Sequence, residues 1–385
     1  LNLLGRSSLS VLLATRLVQS DRRNYGFELQ LAKRIMSCTH KLPEISPPKY
    51  TDTLSRHNDH VYSIVFHPTF PFFATSSEDM SAILWRLSAD GLKATYVQDF
   101  RVHLGGVYSV AIHPSLNLLA TGGQDNKINL WNLKYDGSKA THVANLNQRN
   151  GGHSESVKSV VFHSTLPLLA SSCNKTVKLW NLVYTPDGLT VTCIANLAVP
   201  SIGICSFHPN LHLFANCSVN NTVNLWSLIQ TSDSWTATQI ITLVGHSSLV
   251  RSIAFHPTAP LLATGSNDNT VKLWQLSSNN SSATCVATLE GHSDSVRSVA
   301  FHPTAPFLAT GSNDKTVKLW YFGNTLDRSD IGATCVATLG STKTRPWEPG
   351  QHKSYITVVA FHPTAPLLLT GSGGVEDNTV KLWKL

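Results

Sequence analysis

GHSDSVRSVAFHPTAPFLATGSNDKTVKLW (291–320) is nearly duplicated by GHSSLVRSIAFHPTAPLLATGSNDNTVKLW (245–274), with five differences in thirty positions. Outward from this pair, the closing tryptophan recurs as Trp85, Trp131, Trp180, Trp226, Trp274, Trp320 and Trp383. The separations are 46, 49, 46, 48, 46 and 63 residues. Such a period marks one small folding unit copied in series. A unit this short cannot bury its apolar faces alone, so it must stack on its neighbours. Seven units stacked sideways can close into a ring.

Each copy reads as three short β-type runs followed by a fourth. In 291–320 the runs are Val296–Phe301, Phe307–Ser312 and Thr316–Trp320, separated by His-Pro-Thr-Ala-Pro and Asn-Asp-Lys turn chemistry. A fourth run precedes each Gly-His, as in Thr284–Leu289 and Thr334–Leu339. No sustained helical period appears within the repeats. The reading is all-β, with four short antiparallel strands per copy.

Gly-His before the first strand, Asp in the second turn and Trp ending the third strand resemble the WD-repeat family of β-propellers. The likeness covers about residues 49–385. No copy follows its Trp with Asp; the next residues are Arg86, Asn132, Asn181, Ser227, Gln275, Tyr321 and Lys384. The resemblance implies a seven-bladed β-propeller of four-stranded antiparallel blades. The last copy ends at Leu385 without a fourth run, whereas Lys49–Leu54 is an unpaired fourth run at the other end. Residues 49–54 are therefore expected to pair with the C-terminal three strands and close the ring, which removes open sheet edges.

The resemblance also implies a buried hydrogen-bonded tetrad in each blade. The candidates are His57, Thr75, Asp79 and Trp85; His103, Thr121, Asp125 and Trp131; His246, Thr264, Asp268 and Trp274; His292, Thr310, Asp314 and Trp320; and His352, Thr370, Asp377 and Trp383. Blade three keeps His153, Ser171 and Trp180, with Asn174 in the place of Asp. Blade four keeps only Trp226, with Asn216 and Asn220 at the other places. These two blades are expected to be the least protected.

Seven further histidines, His67, His113, His163, His208, His256, His302 and His362, each follow a first strand. Spread one per blade, they read as structural turn residues rather than metal ligands. The seven cysteines show no paired metal spacing. Cys193, Cys285 and Cys335 recur in the fourth strand, where they are expected to pack as small apolar side chains. Ser277–Ser282 reads as a flexible loop. No metal site and no cofactor are expected.

No P-loop, His-Glu-x-x-His or nucleophile elbow occurs, so the chain is not read as an enzyme. In the family, the rim with the Gly-His and Asp turns surrounds the channel mouth and commonly holds peptides. Near that mouth the resemblance places Tyr62, Tyr108, Lys158, Gly203, Arg251, Arg297 and Thr357, with Glu78, Asn267 and Asn313 among the residues preceding the turn acid. Blade seven lengthens the rim at Gly340–Gln351, which carries Lys343, Arg345 and Trp347. Trp347 reads either as a partner anchor or as a cover for its own blade. Tyr62, Tyr108, Lys158, Arg251, Arg297, Arg345 and Trp347 form the candidate partner site, for an acidic or phosphorylated peptide.

Residues 1–48 hold seven Lys/Arg against three Asp/Glu, a net +4 of the chain's +7. This basic tail reads as partly helical or disordered, or as a targeting segment or membrane-surface helix; with the first Met at Met36, residues 1–35 read either as the remnant of a longer domain or as upstream sequence outside the native product. No apolar run reaches a membrane span. The leading function is a scaffold or adaptor for other proteins, within a larger cytoplasmic or nuclear complex. The alternatives are a substrate receptor of a ubiquitin ligase and a nucleic-acid-associated subunit that uses the basic tail.

Overall fold

Second strands of the repeats are uncharged runs of apolar and small residues, and the architecture explains why. In the computed structural model, Leu261–Ser266 and Leu118–Gly123 are buried at every position. Each lies mid-sheet, and neighbouring sheets cover both of its faces. A strand covered on both sides reads as a continuous apolar or small-residue run rather than an alternating one. Stacking is close enough to require glycine. A Cβ on Gly265 would meet Val296 of the next blade at 2.8 Å, and one on Gly311 would meet Ile356 at 2.6 Å.

The described residues are 47–134, 137–231, 235–322, 332–340 and 350–385. They form seven four-stranded antiparallel sheets. Blade five shows the plan: Val250–Phe255 innermost, then Leu261–Ser266, Val271–Leu276 and Ala283–Leu289 outermost. Its third and fourth strands share a bulge between Leu273 and Trp274, which recurs at the tryptophan in the other six blades. Between adjacent blades lie seven apolar clusters, each containing a blade tryptophan.

The seventh sheet is made from both ends of the chain. Lys49–Leu54 runs antiparallel to Val380–Lys384, with Leu54 opposite Val380 and Tyr50 opposite Trp383. Leu54 is buried in the cluster between blades seven and one, beside Leu382 and Ile83. The expected closure is therefore present. Residues 1–46, which contain the basic tail and Met36, lie outside the described residues.

Two local expectations are corrected. Cys193, Cys285 and Cys335 do sit opposite Trp180, Trp274 and Trp320 in register, but they are exposed. In Ala283–Leu289 the strand packs on neighbouring blades through Ala283, Val286, Ala287 and Leu289, while Thr284 and Cys285 face solvent. Ser277–Ser282 is not a loose loop: the Ser282 carbonyl accepts from Ser277 N–H at 2.9 Å, and Asn280 takes the left-handed φ of 55°.

Candidate functional site: the polar mouth of the channel

Rigid walls come first, and the tetrads supply them. In blade five the Trp274 indole N–H donates to Thr264 Oγ1 at 2.9 Å. The threonine hydroxyl meets His246 Nε2 at 2.7 Å, and His246 Nδ1 meets Asp268 at 2.8 Å. Since the Asp268 carboxylate can only accept, the histidine carries its proton on Nδ1, and Nε2 accepts from the threonine hydroxyl. The same chain runs through His57, Thr75, Asp79 and Trp85, and through His103, Thr121, Asp125 and Trp131. It recurs through His292, Thr310, Asp314 and Trp320, and through His352, Thr370, Asp377 and Trp383. Burial opposes ionisation of Asp314, yet the hydrogen bond and charge of His292, with the Thr316 hydroxyl, take it down to about 2. Asp79 and Asp377 lie well below the usual carboxylate range by the same balance.

Blade three departs from the expected substitution. Its turn is one residue shorter, and Asn174 does not meet the histidine; Thr176 Oγ1 lies 3.0 Å from His153 Nδ1 instead. Ser171 still links His153 and Trp180. In blade four, Asn216 Oδ1 accepts from the Trp226 indole at 2.8 Å.

On the rim these walls carry, the first strands turn one residue each toward a cavity of about 590 Å³. It gathers Tyr62, Tyr108, Lys158, Arg251, Arg297 and Thr357 from six blades. Arg345 and Trp347 lie outside the described residues. Each arginine is braced by the residue before its turn acid. Arg251 Nε donates to Asn267 Oδ1 at 3.0 Å, and Arg297 Nε to Asn313 Oδ1 at 2.9 Å. The remaining guanidinium nitrogens stay available. Burial, and then the charge of Arg297, push the Arg251 guanidinium down.

Lys158 is held differently. Its ammonium lies 3.5 Å above the centre of the Tyr108 ring, a cation–π contact. Burial pushes its amine down, and Glu78 partly offsets this. Among the described residues, none of Lys158, Arg251 and Arg297 forms an ion pair, and no carboxylate lines the cavity. The mouth is therefore a concentration of positive charge, with Glu78 as a nearby carboxylate acting on Lys158, Tyr62 and Tyr108.

Sequence reasoning missed five of its residues, Ser201, Ile202, Ile204 and the two aromatics His60 and Tyr355. For the two aromatics the signal was readable: both stand at the same register position, one residue before the first buried aliphatic of the strand, in adjacent blades. The far end of the channel has the opposite character. A cavity of about 480 Å³ there is lined by Phe66, Phe255, Phe301 and Phe361 with the prolines that follow them.

A family sequence model, WD domain, G-beta repeat, matches 48–86, 94–132, 144–181, 185–227, 237–275, 283–321 and 343–384. The chain belongs to the WD40-repeat family. Six of the seven matched segments begin in or just before the outermost strand of one blade, the last begins after Thr334–Leu339, and all end in the third strand of the next blade, so the repeat is offset from the blade. That offset is why a WD40 propeller closes by joining its ends. WD40 propellers are in general protein-interaction scaffolds. The comparison with curated proteins gives no match. No helix among the described residues is long and apolar enough to cross a membrane. No group of three or more His, Cys, Asp or Glu among them is placed to hold a metal ion.

Proposed function

We propose that this WD40 propeller is a non-enzymatic scaffold or adaptor that takes an acidic or phosphorylated peptide segment at the polar mouth. The supporting observation is the set of Lys158, Arg251 and Arg297, which face one cavity without an ion pair among the described residues. Two of the three are guanidiniums fixed by Asn267 and Asn313, so little orientation is lost when an anion docks. The channel mouth then holds one partner, while the outer strands and the opposite face remain for others. The six described cysteines are free thiols, in keeping with a cytoplasmic or nuclear setting.

The test is capture of an acidic and a phosphorylated peptide by the full chain and by the Arg251→Ala/Arg297→Ala variant. Capture is expected to be lost with the melting temperature unchanged. Equal capture by both proteins would remove the site from consideration.

A further inference from the structure

The mouth holds more aromatic surface than an anion needs. Around the ring, Arg251 of blade five and Arg297 of blade six are followed by Tyr355 of blade seven, His60 and Tyr62 of blade one, and Tyr108 of blade two, before Lys158 of blade three. The rings form a connected arc. His60 lies 5.5 Å from Tyr355 and 6.0 Å from Tyr62, and the His60 and Tyr62 planes are only 19° apart. Tyr62 and Tyr108 are 5.2 Å apart and tilted by 60°.

These rings are not doing the work of the core. All four are half-buried, and none belongs to the apolar cluster of its blade. Burial and the neighbouring Glu78 push the Tyr62 phenol up, so it stays neutral and keeps its donor. One face is already engaged electrostatically, since the Lys158 ammonium rests on Tyr108. A lone carboxylate or phosphate would be satisfied by the cations. An aromatic arc that begins beside Arg297 and ends under Lys158 suits a flat ring carried on the same ligand as the anion.

We infer that the ligand of this mouth combines a phosphate with an aromatic ring, the phosphate on Arg251 and Arg297 and the ring against the His60–Tyr62–Tyr108–Tyr355 arc. This rests on the anion site proposed above. Two sources share that chemistry: a phosphotyrosine of a partner protein and a free nucleotide.

Binding of two matched pairs to the full chain separates them: a phosphotyrosine peptide against the same peptide with phosphoserine, and AMP against ribose 5-phosphate. The ring-bearing member of one pair is expected to bind about tenfold more tightly, the scale of one aromatic stacking contact. A preference in the peptide pair alone identifies a partner's phosphotyrosine, and one in the nucleotide pair alone identifies a nucleotide. Tyr62→Ala/Tyr108→Ala is expected to abolish the preference while phosphoserine binding persists. If that variant does not fold, the paired comparison on the unaltered chain still decides. Equal affinity within both pairs overturns the inference and leaves the anion site standing, as does acidic-peptide binding without phosphate binding. Failure of all four ligands and of the acidic peptide overturns both.

Discussion

A Cβ on Gly203 would lie 2.4 Å from the Cβ of Lys158, so the glycine of blade four makes room for the lysine of blade three. Gly203 also has φ +79°, in the left-handed region that disfavours side chains. One residue thus sets both the backbone of its strand and the pose of a cation at the mouth. Gly203→Ala is expected to lower stability by about 1–3 kcal/mol and to weaken peptide capture as Lys158 leaves the Tyr108 ring. Denaturant midpoints and capture assays on the same variant check the two effects. Loss of stability with normal capture would detach Lys158 from ligand binding.

Ring closure makes distant residues interdependent. Leu54 is buried against Leu382 and Ile83, although the strand that carries it contributes only six residues. Leu54→Ala is expected to destabilise the whole propeller by about 2–4 kcal/mol, the usual effect of truncating a buried leucine. Deleting Lys49–Leu54 removes every partner of the outer edge of Val380–Lys384 and is expected to lower the melting temperature further. One cooperative transition should shift as a unit. A separate early transition, with the rest of the ring melting normally, would contradict closure by this strand.

Legibility in the sequence followed length scale. The Trp period revealed seven blades because every blade repeats the same burial problem. Lys49–Leu54 was legible as a closing strand because the last copy lacks one. Side-chain substitutions inside a turn were less legible. Asn174 looked like the acid's replacement by position, but His153 Nδ1 meets Thr176 instead, at a position whose hydroxyl already lies 3.3 Å from the histidine in blades one and six. The exposed cysteines were misread because residue type does not show which part of the outermost strand the neighbouring blades cover. Pairing of Tyr355 with His60 depends on blade seven lying beside blade one, a contact across 295 positions of chain.

Blades three and four differ from the rest in backbone as well as tetrad chemistry. The innermost strand of blade three is only Ser159–Phe162, and that of blade four pairs at Ser201 and then not again until Cys205. Hydrogen exchange is expected to be fastest in these inner strands and slowest in Val250–Phe255 and Val296–Phe301. Thr264→Val, which leaves the Trp274 N–H and His246 Nε2 without their shared partner, is expected to cost about 1–3 kcal/mol. It should also bring blade five to the exchange rates of blade four. Uniform exchange around the ring in the unaltered protein would refute this ranking.

Acid should loosen the ring through histidines that bind no partner and line no polar site. At each of seven turns, Nδ1 accepts two backbone N–H groups, as His256 does from Thr258 and Ala259 at 3.2 and 2.9 Å. This fixes the tautomer opposite to that of the tetrads, with the proton on Nε2. Six of the seven rings pack on the phenylalanine that ends the next blade's first strand, including His362 on Phe66 at 4.9 Å across the closure. Burial lowers all seven from the ordinary value of 6.5, His67 and His208 to about 4. The unfolded chain therefore takes up protons first. Stability is complete above about pH 6.5 and falls as the pH drops toward about 4, by at most about 1.4 kcal/mol per pH unit for each histidine. The tetrad carboxylates contribute a second, lower window, because their lowered values are lost only below the ordinary 3.8. Urea midpoints at pH 8, 7, 6 and 5 should be level between the first two and then decline. In His256→Asn, the amide oxygen can accept the same two N–H groups without titrating. That variant should be less stable at pH 8 but lose stability less steeply below pH 6.5. A midpoint unchanged from pH 8 to pH 5 in the unaltered protein would show that these rings do not hold the blades together.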